Sequence, residues 1–192
     1  MGNFIPVPVD RQFSEVSPDN ESSEYSYFSG FTKNVGWSEL ISQDVVVILA
    51  EGGSGKTYEM KSQAEKLTSQ GHYSFFIRIE DLNDSDFDDL FELGNRDTFE
   101  QWQRSNKEAW FFLDSVDEAK LKDERDFEKA IKRFGRKINN FKHRVHIIIS
   151  SRPHIWRTDI EGKLLTEIFP KAKNHYSDNA SQDRSTNEIT ST

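Results

Sequence analysis

The sequence predicts an α/β fold of three layers, α/β/α, built on a mainly parallel sheet. Three observations carry this. Short apolar runs recur between residues 37 and 170: "VVVILA" (Val45–Ala50), "YSFFIRI" (Tyr73–Ile79), "AWFFLD" (Ala109–Asp114) and "VHIIIS" (Val145–Ser150). Each is rich in β-branched or aromatic residues and largely lacks polar alternation, as in strands buried on both faces. Stretches with helical spacing separate them, and strands alternating with helices pair in parallel.

In chain order, residues 1–36 come first. They are rich in Ser, Asn, Pro, Glu and aromatics ("SPDNESSEYSYFSGF") without helical or strand period, and read as an irregular arm. The first strand is followed by glycines and then "KTYEMKSQAEKLTSQG". There Met60, Ala64 and Leu67 share one helical face, and Gly71 is a natural stop. After the second strand, "DSDFDDLFELG" predicts a short helix with Phe87, Leu90 and Phe91 on one side. "DTFEQWQ" starts another, with Asp97 as its cap and Glu100 three residues on. Between the third and fourth strands, Phe127, Ile131, Phe134, Ile138 and Phe141 recur at helical spacing over Glu124–Phe141. From Lys171 on, "KAKNHYSDNASQDRSTNEITST" has little to bury and predicts a disordered polar tail, 171–192. The core is therefore expected over 37–170.

Composition narrows the function classes. The 192 residues suffice for one domain with a core. Hydrophobic residues make up 34% and charged residues 30%, and the mean hydropathy of −0.76 marks a polar chain. A net charge of −8 argues against wholesale nucleic-acid binding, though a local basic patch stays open. The absence of cysteine excludes disulfides, thiolate catalysis and cysteine zinc sites, and fits a reducing compartment. "MGNFIPVPVD" lacks the basic start and apolar run of a signal peptide, and Pro6 stands where a myristoylation signal has Ser or Thr. No apolar run is long enough to span a bilayer. The expectation is a cytoplasmic protein without a membrane partner.

Residues 50–57 read "AEGGSGKT", one residue away from the phosphate-loop pattern G-x-x-x-x-G-K-[ST], with Ala50 in place of the first glycine. Such a loop must follow a buried strand, turn backbone N–H groups toward phosphate oxygens and end at a helix N-terminus. All these parts stand in order here. Gly52, Gly53 and Gly55 supply permissive backbone. Lys56 can reach β- and γ-phosphates, and Thr57 can place its hydroxyl on Mg²⁺. Glu51 through Thr57, with Ser54 among them, are the candidate nucleotide-binding residues. The plainer alternative is a glycine-rich turn beside a surface lysine. In "WFFLDSVDEA" a strand delivers Asp114 at its end, with Asp117 and Glu118 just beyond. One carboxylate can hold the Mg²⁺ shell opposite Thr57 and another can orient the attacking water. An acidic surface turn is the alternative for Asp117 and Glu118. "VHIIISSRP" ends a further strand in Ser150, Ser151 and Arg152. The C-terminal edges of parallel strands lie together, so Arg152 can sit near the γ-phosphate. An ordinary salt bridge is its alternative.

"VVVILAEGGSGKT", "WFFLDSVDEA" and "VHIIISSRP", with "GWSEL" just ahead of the first strand, resemble the NACHT and related STAND class of signal-transduction NTPases, in the AAA-like branch of P-loop proteins. The resemblance runs from Trp37 to Phe169. It implies a P-loop NTPase fold and ATP or GTP with Mg²⁺. It also implies a switch whose nucleotide state controls assembly, as in bacterial-type defence signalling. It places Lys56 and Thr57 on phosphate and Mg²⁺, and Asp114 on Mg²⁺. Glu118 would assist the water, Asp117 is the additional acid before it, and Arg152 would sense the γ-phosphate. Two residues depart from the pattern, Ala50 and Ser115. Nothing after "LLTEIFP" resembles the family's fifth core strand, its lid or its sensor array. The expectation is a truncated core, marginally stable alone, that self-associates or docks on a larger protein.

Two rival classes stay open. One is a non-catalytic regulatory or interaction protein, favoured by the early stop. The other is a nucleic-acid-dependent ATPase, favoured by Lys129, Lys132, Arg133, Arg136, Lys137, His143 and Arg144, although a solvated helix face is the commoner meaning of such a stripe. The acidic "EDLNDSDFDDLFE" is read as a solvated helix or an internal partner for that stripe. Trp37 and Trp156 are read as packing anchors.

Overall fold

The computed structural model describes Phe13 and residues 35–84, 90–116 and 125–170. Among these residues the chain forms α1 (Trp37–Leu40), β1 (Val45–Leu49), α2 (Lys56–Ser69), β2 (Tyr73–Arg78), α3 (Asp81–Asp84), β3 (Phe91–Leu93) and α4 (Arg96–Arg104). It continues with β4 (Ala109–Asp114), α5 (Asp126–Lys137), a 3₁₀ segment (Asn139–Arg144), β5 (Val145–Ser151), a π turn (Thr158–Gly162) and α6 (Lys163–Ile168). The five strands make one sheet in the order β1-β5-β4-β2-β3. β1, β5, β4 and β2 run parallel, and β3 is antiparallel to β2.

The four apolar runs are the four parallel strands. β4 is enclosed along its whole length, and Phe75, Phe76 and Ile77 of β2 and Ile147, Ile148 and Ile149 of β5 are fully buried. β1 departs from the expectation of burial on both faces. Among the described residues it is an outer strand, and of its five residues only Ile48 is fully enclosed.

The sheet alternation sends side chains to two cores. On one side Ile48, Ile148, Phe112 and Phe76, one from each parallel strand, meet Met60, Ala64 and Leu67 of α2, with Trp37 of α1 at the margin. Enclosing Met60 and Leu67 contributes about 1.5–3 kcal/mol each. Phe13 packs edge-on against Trp37 at 5.1 Å between centroids, and its backbone pairs with Val35 as an antiparallel bridge. On the other side Phe75, Ile77, Phe111, Leu113, Ile147 and Ile149 pack under α3, α4, α5 and α6.

Two expectations fail between β2 and β4. Phe91 belongs to a strand, not to a helix with Leu90, and it supplies a fifth strand at the edge beyond β2. The pairs Phe76–Leu93 and Ile77–Phe91 leave Glu92 as the extra residue of a bulge, and Glu92 reaches Arg78 across the pair and Lys61 of α2. Phe87 lies outside the described residues. The cap of α4 is Asn95, whose Oδ1 accepts from the Thr98 amide at 2.8 Å; Asp97 is inside the first turn.

The basic stripe on α5 stays mostly on the exposed face of the helix, with some of its members paired. Lys129 pairs with Asp126 at 2.8 Å and Lys132 with Glu128. Arg133 donates to the Leu82 and Asn83 carbonyls at the end of α3, at 2.9 and 2.7 Å. Arg133 thus meets the acidic segment at two backbone carbonyls; its acids Asp86, Asp88 and Asp89 lie outside the described residues.

Where α5 crosses α6, a Cβ on Gly135 would overlap Ile168 Cγ2. Gly135→Val is expected to cost about 3 kcal/mol by overpacking. Thermal melts check this, and Ile168→Ala in the same background should return part of the loss. An unchanged melting temperature would show that α6 moves aside freely.

Candidate functional site

The C-terminal ends of the parallel strands lie along one edge of the sheet. There the loop after β1, the start of α2 and the ends of β4 and β5 meet. The loop is built as its glycines require. Gly53 and Gly55 have φ of +74° and +86°, in the left-handed region that other residues rarely adopt. Gly55 leads directly into α2. Ala50 has a structural explanation. Its amide donates to the Ser151 carbonyl at 3.1 Å, so it extends the β1–β5 ladder by one residue and precedes the glycine turns. A methyl group is at home in a ladder position.

Lys56 points back into this loop. It is 9% exposed, and its Nζ donates to the Ala50 carbonyl at 2.5 Å and the Glu51 carbonyl at 3.0 Å. An ammonium has three protons to donate. Thr57, next on the helix, donates from Oγ1 to Asp114 Oδ2 at 2.6 Å. Asp114 is 4% exposed and accepts a second hydrogen bond, from Ser150 Oγ to Oδ1. Arg152 lies against the loop: a Cβ on Gly52 would meet its Cζ at 3.4 Å. The glycine leaves room for the guanidinium.

Lys56 and Thr57 thus come together with Asp114 and Arg152, distant from them in sequence, around the loop Glu51–Gly55. Asp117 and Glu118 lie outside the described residues. Ser150 is the member that sequence reading left unassigned. Its signal was faint: a serine two positions beyond Ile148, hence on the same sheet face.

The chemistry of the set can be stated. A hydroxyl and a carboxylate, both hard oxygen donors, meet beside a glycine loop with an ammonium inside it. Such oxygens suit Mg²⁺ rather than a soft metal. Successive amides at a helix start suit an anion. The residues present therefore fit a phosphate–Mg²⁺ ligand.

Comparison with known families defines the class first: this mixed α/β domain is a STAND-type NTPase. Residues 35–189 match the family described as Novel STAND NTPase 3, nSTAND3, and the chain belongs to that family. No curated protein matches the chain. Membership points to an NTPase-type regulatory domain that uses a nucleotide. Among the described residues no helix is long and apolar enough to cross a membrane.

Proposed function

We propose that the chain is a P-loop NTPase core of NACHT-like type that binds ATP or GTP with Mg²⁺ and acts as a regulatory switch in the cytoplasm. The observation that carries this reading is the joining of Thr57 to Asp114 beside the inturned Lys56. The loop and the acid strand meet, as a phosphate site demands. We assign the core to 37–170, although the family match reaches past Lys171.

In this reading the amides of Glu51 to Gly55 receive phosphate oxygens. Lys56 exchanges its carbonyl partners for the β- and γ-phosphates. Thr57 keeps its hydroxyl proton donated to Asp114 and would offer a lone pair to the cation. Mg²⁺ when bound neutralises phosphate charge. Glu118 orients the attacking water, Asp117 supports it, and Arg152 moves from Gly52 toward the γ-phosphate. Positioning and charge neutralisation are what phosphoryl transfer needs from a protein.

Calorimetric titration with ATP and GTP, each with and without Mg²⁺, tests the reading. Absence of binding for both would overturn it. If the chain hydrolyses ATP, Glu118→Gln should abolish phosphate release and leave binding close to wild type, since the amide keeps the shape but accepts a proton poorly. Undiminished turnover would return Glu118 to a surface turn.

The outer position of β1 among the described strands favours one further element of the reading, self-association or docking on a larger protein. A half-buried apolar strand at a sheet edge is a template for pairing. The net charge of −8 weighs against nucleic acid as the trigger. Adding DNA or RNA should leave phosphate release unchanged.

A further inference from the structure

We propose that Ser150 is a positioning residue that holds the Asp114 carboxylate in the orientation a Mg²⁺·nucleotide requires. The proposal rests on the nucleotide reading above.

Its basis is the sheet register. Leu113 of β4 pairs with Ile149 of β5, so the next residues along, Asp114 and Ser150, are neighbours. Ile48 of β1 faces Ser150 on the other side. Ser150 is fully buried, and two residues earlier Ile148 packs beneath α2 among Phe112 and Met60. A hydroxyl in such surroundings is costly unless it is bonded. It donates to Asp114 Oδ1.

The consequence falls on Asp114. An aspartate side chain rotates about two bonds, and one hydrogen bond leaves the carboxylate free to swing about the bonded oxygen. Here both oxygens are fixed, from separate elements: Oδ2 by Thr57 at the start of α2, and Oδ1 by Ser150 at the end of β5. A carboxylate has about four acceptor positions, so two such bonds leave acceptor capacity for a cation or its water. Outer hydrogen-bond partners of this kind orient ligating carboxylates.

Two placements make Ser150 more than a satisfied buried polar group. Its acceptor is the acid that accepts from the loop threonine. Its strand also continues directly to Arg152, which lies on Gly52 of the loop. The strand that carries the arginine therefore also fixes the acid.

The test is the ratio of ATP affinity with saturating Mg²⁺ to that with EDTA, by calorimetry. Ser150→Ala is expected to lower this ratio about tenfold, the usual scale for losing a ligand's outer partner. Affinity in EDTA should stay at the wild-type value. Ser150→Thr, which keeps the hydroxyl, should stay near wild type. In an Asp114→Asn background Ser150→Ala should change nothing further, because the residue acts through that carboxylate. Should Ser150→Ala fail to fold, Ser150→Cys gives the same readout with a weak donor of similar size. An unchanged ratio would overturn the proposal. So would an equal loss with and without Mg²⁺, the mark of a purely structural serine. A wild-type chain with no ATP affinity in either condition would instead overturn the nucleotide reading, and the role of Ser150 with it.

Discussion

Lys56→Ala is expected to weaken ATP·Mg²⁺ binding by about tenfold or more. Charge-assisted hydrogen bonds contribute about 1.5–3 kcal/mol each, and every ~1.4 kcal/mol is a factor of ten in affinity. The position of the side chain supports the upper part of that range. Lys56 is almost enclosed, and its ammonium already lies within the loop on two carbonyls. Phosphate oxygens are stronger acceptors than those carbonyls, so binding requires an exchange of partners and little movement. Alanine removes the positive charge where the phosphate charge must be balanced. It also releases the Ala50 and Glu51 carbonyls, which can loosen the loop, so circular dichroism should accompany the calorimetry. Thermal melts give an independent reading. A ligand that binds only the folded chain stabilises it by RT ln(1 + [L]/Kd), so ATP·Mg²⁺ should raise the wild-type melting temperature by more than that of a folded mutant at the same ligand concentration. Equal affinities in folded wild type and mutant would remove the phosphate-cradle assignment.

The parts of this fold that were legible in the sequence are those fixed by local pattern. Continuous apolar runs gave β1, β2, β4 and β5 to within a residue or two. The spacing of Met60, Ala64 and Leu67 gave the buried face of α2. The loop was legible because each part has its own chemical reason, and the one irregular letter, Ala50, turns out to be a strand residue. Apart from the α4 cap, where Asn95 and not Asp97 accepts from Thr98, the misses depend on a partner distant in the chain. β3 is three residues long, too short for a period, and is a strand because β2 offers it an edge. Ser150 looks like the end of a strand until the register sets it beside Asp114. Arg144 looks like the last charge of a solvated stripe, but its partners lie about forty residues earlier.

That arginine carries the largest expected stability effect. Arg144 is 9% exposed, at the end of the 3₁₀ segment before β5. Its guanidinium lies 4.7 Å from the ring centroid of Trp102 and 5.0 Å from that of Phe141. Nη2 donates to the Trp102 and Gln103 carbonyls at 3.1 and 3.0 Å, and Nη1 donates to the Trp102 and Lys107 carbonyls. The last carbonyls of any helix lack intrahelical partners. Those near the end of α4 are turned inward, and the guanidinium fork satisfies them where a single ammonium could not. Burial pushes the Arg144 pKa down from its ordinary value, but guanidinium starts so high that the charge persists. Arg144→Leu would leave three carbonyls with fewer donors and remove the cation from the Trp102 ring. The Trp102 and Lys107 carbonyls keep other donors, the Ser105 amide and hydroxyl and the Trp102 indole, so the loss is that of hydrogen bonds from a charged group, about 1.5–3 kcal/mol each. A total on the order of 3–5 kcal/mol is expected, against about 5–15 kcal/mol for a whole domain. Arg144→Lys should recover only part. Urea unfolding midpoints measure both. A leucine variant within about 1 kcal/mol of wild type, inside the usual range for surface changes, would mean that water reaches these carbonyls and that Arg144 is a surface residue after all. The stripe would then regain a cation for an acidic partner or a nucleic acid. A large loss would instead fix Arg144 as part of the core, where no partner can reach it without unfolding the end of α4.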